Sequence, residues 1–93
     1  MGSVCFDELP GGELITQGLE DLRCSRETVP ALLVSIGAPR LQRAGVVVSH
    51  PLASPEQRLY ELLSRDAPAA AHSRYNALIH RLVSFERAAE CVR

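Results

Sequence analysis

Apolar residues recur at intervals of three or four along several segments of the chain, and this spacing predicts helices that each bury one face. The first such segment runs from Glu13 to about Cys24, and its apolar positions are Leu14, Ile15, Leu19 and Leu22. Glu13 is at the start of the segment, where the positive end of the helix dipole favours a carboxylate. The pattern therefore predicts an amphipathic helix of about three turns.

A second helix is predicted after Thr28, whose hydroxyl can cap the free backbone amides. Pro30 follows in the first turn, where a missing amide proton costs little. Residues 31–36 are apolar nearly all round, so this segment should be the most buried of the molecule. We expect Gly37 to end the helix in a left-handed conformation, and a short helical turn to follow from Arg40 to Ala44.

Three consecutive valines, Val46 to Val48, form the only segment of strand-like sequence. β-Branched residues favour extended backbone, but three residues cannot form a sheet without a partner strand. One interpretation is a buried extended connector between helices. The alternative is an exposed edge that pairs with another chain.

A third helix is predicted from the sequence Ser54-Pro55-Glu56-Gln57, which has the pattern of a capping box. In this prediction Ser54 is the N-cap, Pro55 is the first helical residue and Gln57 completes the box. The helix should end near Asp66, because Pro68 disfavours helical geometry in the residue before it.

The last helix is predicted to be the longest, from about Ala69 to Val92. Its apolar positions alternate by three and four residues in a heptad pattern, at Tyr75, Leu78, Leu82, Phe85, Ala89 and Val92. Such a helix would span about 35 Å, more than the other helices could cover fully, so the seam either packs within the domain or meets another chain. The predicted fold is all-α, a compact bundle of four main helices plus one short helix. Residues 1–12 are expected to form an irregular lead-in, and residues 13–93 a single helical domain.

Composition narrows the classes of function. The 93 residues suffice for one small domain, and the net charge of −1 gives no basic excess of the kind that nonspecific nucleic-acid binders show. All ten basic residues are arginine, a side chain suited to paired contacts with carboxylates or phosphates. No apolar run is long enough to cross a bilayer, and Asp7 and Glu8 are atypical of a secretory signal. We therefore expect a cytoplasmic location and no membrane partner.

Motifs for metal or covalent chemistry are missing from the sequence. His72 and His80 are eight residues apart, which places them about 12 Å apart along a helix, too far to share one zinc ion. The chain contains no Cys-x-x-Cys pair, Gly-rich phosphate loop or nucleophile elbow. Its three cysteines, Cys5, Cys24 and Cys91, are odd in number and widely spaced, which argues against a disulfide framework. We expect no enzyme activity, metal, cofactor or small-molecule substrate.

The most unusual polar cluster lies on the last helix, beside the apolar seam. Arginine, tyrosine, histidine and asparagine are mixed there, as in protein interfaces, although a solvated helix face would have a similar composition. The predicted partner-binding residues are His72, Arg74, Tyr75, Asn76, Leu78, His80, Arg81, Leu82 and Phe85. They favour a small interaction or regulatory protein that binds a protein partner or a second copy of itself.

Two alternatives stay open. A helix-turn-helix-like DNA-binding regulator would need a coherent arginine face, drawn from Arg23, Arg26, Arg40 and Arg43. A minor subunit of an enzyme would be supported by a pocket that joins His72, Arg74 and His80.

Two blocks of the sequence resemble small, uncharacterised helical proteins of bacteria. One block extends from Thr28 through Leu41, and the other from His72 through Glu86. Both are similar to small partner proteins of the toxin–antitoxin kind. This resemblance implies an antitoxin-like protein that binds and restrains another protein, for example a nucleotide-transferring toxin, and it implies no catalytic residues. The chain departs from the commonest antitoxin plan, because it shows neither a clear DNA-binding domain nor a disordered neutralising tail.

Overall fold

The structure, a computed structural model, describes residues 9–91 and consists of helices joined by short connections. The helices are α1 (Gly12–Arg23), α2 (Val29–Ile36), α3 (Ala38–Arg43), α4 (Pro55–Asp66) and α5 (Ala71–Cys91), with a 3₁₀ turn at Pro68–Ala70 before α5. The predicted all-α fold, with one short helix and a long C-terminal helix, is confirmed. Of the predicted lead-in, residues 1–8 lie outside the described residues, and Gly12 already belongs to α1.

The short helix α2 is at the centre of the molecule, as its apolar sequence predicts. Residues 31–35 are all buried, and α1, α4 and α5 pack around them. Among residues 9–91 the buried core is aliphatic apart from Phe85, and the surrounding helices contribute Ile15, Leu22, Leu41, Leu59, Leu63 and Leu82 to it.

Close packing of α1 against α2 depends on Gly18. A Cβ atom at this position would lie inside van der Waals distance of the Pro30 carbonyl oxygen and of a Val34 methyl group. Neither the backbone of a helix nor a buried valine can move aside easily, so only glycine allows this approach. The two helices are therefore held at a separation that the backbone itself sets.

A buried carboxylate fastens the connection between α1 and α2. Asp21 accepts hydrogen bonds from the Thr28 hydroxyl (2.6 Å) and from Gln17 Nε2 (2.9 Å), and it pairs with Arg26 at 3.0 Å. The Thr28 oxygen in turn accepts from the Ala31 amide at 3.2 Å, which confirms the predicted N-cap. These donors, the Thr28 hydroxyl first, hold the pKa of Asp21 below its ordinary value although burial opposes this.

Gly37 does not have the left-handed conformation that we predicted for the end of α2. Its φ is −89°, and the chain continues into α3 after this single residue. Helix α3 begins at Ala38, earlier than the predicted Arg40. The physical reason is Pro39, whose fixed φ allows it to lie inside the first turn of a helix.

The predicted capping box at Ser54 is wrong. Ser54 has a left-handed backbone (φ 47°, ψ 50°), and its side chain caps no amide. Gln57 bonds to Glu61 within the same helix instead, at 3.4 Å. A capping side chain needs an extended backbone at the N-cap, which the left-handed turn at Ser54 does not provide. The predicted end of α4 at Asp66 is confirmed.

The valine segment is a connector whose alternate side chains enter the core. Val46 and Val48 are buried, while Val47 is 81% exposed. No strand occurs within residues 9–91. The connector ends where the Leu52 amide donates to the Ser35 hydroxyl (2.9 Å), which fixes it to α2. Pairing of this edge with another chain stays a prediction.

Helix α5 is continuous from Ala71 to Cys91, and its inner face completes the core. Leu82, Phe85 and Ala89 are buried, so the C-terminal part of the heptad seam packs within the domain. Val92, the last predicted seam residue, lies outside the described residues. Among residues 9–91 no helix is both long and apolar enough to cross a membrane.

Candidate functional site

The predicted partner-binding residues divide between the surface and the core. Leu82 and Phe85 are buried, Leu82 beside Gly37, so the folded chain does not present them to a partner. Both residues belong to the apolar stripe of α5, and the apolar stripe of an amphipathic helix faces the core. The surface group consists of five exposed residues and two half-buried ones, namely His72, Arg74, Asn76, His80 and Arg81 with Tyr75 and Leu78. Their role in binding stays a prediction.

A shallow cleft runs beside α5 and contains the two arginines of this group. Its volume is about 220 Å³, and it is lined by Val29, Arg74, Ala77, Leu78 and Arg81. We call it the α5 cleft. Val29, Ala77 and Leu78 form its apolar lining, and Arg74 and Arg81 form its charged lining.

The two arginines of the α5 cleft differ in their partners. Arg74 donates to Asp66 at 2.8 Å, and both side chains are well exposed (45% and 75%). Arg81 has no ion pair among the described residues. The carboxylate of Glu13 is nearby, since Glu13 and Arg81 line the same neighbouring cleft. The cleft therefore contains one arginine with an exchangeable partner and one whose charge is not paired.

Both carboxylates of α5 are bound by an arginine of α3. Arg40 donates to Glu90 at 2.7 and 3.0 Å and contacts Glu86 at 3.3 Å. Hydrogen bonding from Arg40 holds the pKa of Glu90 below its ordinary value. The remaining charged residues of α5 are basic, so α5 itself has no carboxylate left for the arginines of the α5 cleft, and the acidic partner of Arg74 is Asp66 of α4.

Glu86 and Asp21 are the two buried carboxylates among residues 9–91. Burial raises its pKa above the ordinary value, Arg40 lowers it in part, and the charge of Glu90 raises it further. A Cβ added at Gly37 would meet Glu86 Oε2 at 2.7 Å, so the carboxylate lies directly over that glycine. The group Gly37, Arg40, Glu86 and Glu90 fixes α5 to the start of α3.

The histidines do not form a joint site. His72 and Asn76 are within hydrogen-bonding distance of each other (3.3 Å), and both are exposed. The cleft that contains Arg74 includes neither His72 nor His80. In residues 9–91 no three His, Cys, Asp or Glu side chains are grouped as a metal site requires.

Tyr75, in the first half of α5, contacts Tyr60 of α4. Its ring centroid is 5.8 Å from that of Tyr60, with the planes tilted by 59°. Burial raises the pKa of the Tyr75 hydroxyl, and the charge of Glu56 raises it further. This side chain therefore stays neutral, and it joins α4 to α5 beside the α5 cleft.

The arginines required for a DNA-binding face are bound within the chain. Arg23 pairs with Glu20 at 3.7 Å, Arg26 with Asp21, and Arg40 with Glu86 and Glu90. Helix α3, which would have to enter the groove, has six residues. Arg40 of this helix is already paired with two carboxylates of α5.

Sequence reasoning missed three contributors to this site. Val29 and Ala77 line the α5 cleft, and Asp66 binds Arg74. Ala77 was detectable, because it lies beside Leu78 on the predicted helix. Val29 and Asp66 belong to other elements, and only the packing of α2 and α4 against α5 brings them to the cleft.

No protein-family model, curated protein or solved structure matches the chain.

Proposed function

We propose that this protein is a small, non-enzymatic interaction protein that binds another protein through the exposed face of α5. The α5 cleft is the observation that supports this proposal. It combines an apolar lining at Val29, Ala77 and Leu78 with two arginines. Arginine beside apolar surface is the combination in which protein interfaces are enriched.

At the α5 cleft the geometry favours a protein over DNA or a small molecule. Arg23, Arg26 and Arg40, which a DNA-binding face would use, are ion-paired with carboxylates of the same chain. The α5 cleft is smaller than the clefts and cavities of about 300–1,000 Å³ in which small ligands are commonly bound.

A different protein, rather than a second copy, fits the α5 cleft. Two such faces brought together would oppose Arg74 and Arg81 of both copies, and like charges in contact disfavour association. Self-association of the chain stays a prediction. In the antitoxin-like role that we propose, the protein acts by covering a surface of its partner.

The free, exposed thiols of Cys24 and Cys91 suit the reducing cytoplasm as its location.

A photo-crosslinking amino acid at position 77 tests the proposal in the cells that produce the protein. Ala77 is exposed and lines the α5 cleft, so a bound partner should be captured there and identified by mass spectrometry. The matched control has the same amino acid at Gln57, an exposed position of α4. A specific product at position 77, reduced when Arg81 is replaced by glutamate, is expected. The same products at both positions would refute the proposal.

A further inference from the structure

We propose that the α5 cleft receives an acidic amphipathic helix of the partner, with an apolar side chain on Leu78 and one carboxylate at each of Arg74 and Arg81. This inference rests on the proposed function and specifies the chemistry of the partner. It also assigns a role to Asp66, which competes with the partner for Arg74.

The spacing of the two arginines sets the spacing of the carboxylates. Arg74 and Arg81 are seven residues apart on one helix, so their Cα atoms are about 10.5 Å apart along its axis. Two acidic residues seven positions apart on a partner helix have the same separation. Helices that pack at about 20° keep such positions opposite one another over two turns.

The apolar lining of the α5 cleft favours a protein helix over nucleic acid. Val29, Ala77 and Leu78 offer methyl groups to an apolar side chain and offer no hydrogen bond to a phosphate. Glu13 and Asp66 flank Arg81 and Arg74 respectively, and each would repel a continuous phosphate backbone. A helix with two carboxylates has only to displace Asp66 from Arg74, whereas phosphates recur along a whole nucleic-acid backbone.

Contacts elsewhere in the fold bind the two carboxylates of α5. Glu86 and Glu90, the two carboxylates of α5 itself, are bound to Arg40, so they do not neutralise the arginines of the cleft. Arg81 has no ion pair among the described residues. An incoming carboxylate therefore finds one guanidinium ready for pairing.

Asp66 occupies the other guanidinium. Its pair with Arg74 is 75% exposed on the aspartate side, and exposed pairs contribute little to stability, so a partner carboxylate can replace it. The exchange still has a cost, since one ion pair must break as another forms. Removal of the Asp66 charge should therefore strengthen binding, the opposite of what an ordinary contact residue would show.

A synthetic helical peptide of about 18 residues provides the probe, with two glutamates seven positions apart and two leucines midway between them. Its affinity for the full chain is measured by fluorescence anisotropy at low ionic strength. A matched peptide has glutamine in place of both glutamates. We expect the glutamate peptide to bind at least about threefold more tightly, a difference that added salt should reduce.

Two variants of the protein make the test specific. Arg81→Gln should weaken binding of the glutamate peptide about two- to fivefold and leave the glutamine peptide unaffected. Asp66→Asn should tighten binding of the glutamate peptide about twofold. Equal affinity of the two peptides, or weaker binding to Asp66→Asn, would overturn the inference. Tighter binding of duplex DNA than of the glutamate peptide would also overturn it, in favour of a nucleic-acid partner.

The crosslinking experiment separates this inference from the proposed function. A partner captured at position 77 through a basic or uncharged segment would leave the interaction role standing and refute the acidic helix. A captured segment with two carboxylates seven residues apart around an apolar residue would support both.

Discussion

Two junctions between helices use the same two kinds of residue with different results. At the α1–α2 junction Gly18 permits close approach and the buried Asp21 fastens the connection. At the α3–α5 junction Gly37 permits close approach and the buried Glu86 contacts Arg40. One glycine and one carboxylate are therefore present in each, but their surroundings differ.

The glycines differ in what a methyl group would meet. At Gly18 the obstacle is the backbone of Pro30 together with a buried Val34 methyl group. At Gly37 the obstacles are side-chain ends, Glu86 Oε2 at 2.7 Å and Leu82 Cδ1 at 2.8 Å. Side-chain ends can turn to another rotamer, whereas a helix backbone moves only as a whole.

The carboxylates differ in the number of donors that they receive. Asp21 accepts from Thr28 and Gln17 and pairs with Arg26, and its pKa is lowered. Among residues 9–91 Glu86 has one ion pair, with Arg40, which it shares with Glu90, and the pKa of Glu86 is raised. Burial alone therefore does not decide the charge of a carboxylate, because several donors outweigh desolvation and one shared donor does not.

The largest effect is expected from Gly18→Ala. The added methyl group must separate α1 from α2, and overpacking of this kind outweighs the better helix propensity of alanine, for a net loss of about 2–3 kcal/mol in the free energy of unfolding. Urea denaturation measures this loss, with Gln57→Ala on the exposed face of α4 as the control. Parental stability of Gly18→Ala would mean that the two helices are not in close contact.

Asp21→Asn should lower the unfolding temperature at neutral pH by several degrees. Because the pKa of Asp21 is lowered in the folded state, its contribution is present above the ordinary aspartate range and is lost as pH falls through the folded-state pKa. The difference between variant and parent should therefore shrink towards acid. Thermal melts across acidic and neutral pH measure it, and a difference that is constant with pH would contradict the assignment.

Gly37→Ala should cost about 1 kcal/mol, clearly less than Gly18→Ala. Its methyl group displaces Glu86 Oε2 and Leu82 Cδ1, which can adjust. Urea denaturation of both glycine variants under one set of conditions gives the ranking. A larger loss for Gly37→Ala than for Gly18→Ala would reverse the comparison of the junctions.

Glu86→Gln should have the smallest effect and leave the unfolding temperature at pH 7 unchanged or slightly higher. The raised pKa means that the folded protein holds this proton more tightly than the unfolded chain, so stability falls as pH rises above the ordinary glutamate range to the folded-state pKa. Glutamine removes this part of the pH dependence and still accepts from Arg40. Melts of the variant and parent between acidic and neutral pH test it, and a strong loss at pH 7 would show that Glu86 is needed in its charged form.

The sequence by itself determined the helices, because their signals act between residues a few positions apart. Periodicity at Leu14, Ile15, Leu19 and Leu22 predicted α1, the Thr28 hydroxyl predicted the start of α2, and Pro68 predicted the end of α4. The failures at Ser54 and Gly37 concern backbone conformation, for which the local pattern allowed more than one solution and packing selected among them.

Only the tertiary structure decided which surface of α5 is available and what charge it has. Arg40 reaches Glu86 and Glu90 across 46 and 50 residues of sequence, and no local pattern encodes such a pairing. The same packing buried Leu82 and Phe85 and brought Val29 and Asp66 to the α5 cleft. Contacts between distant segments depend on how helices pack as bodies, which residue spacing within each helix does not specify.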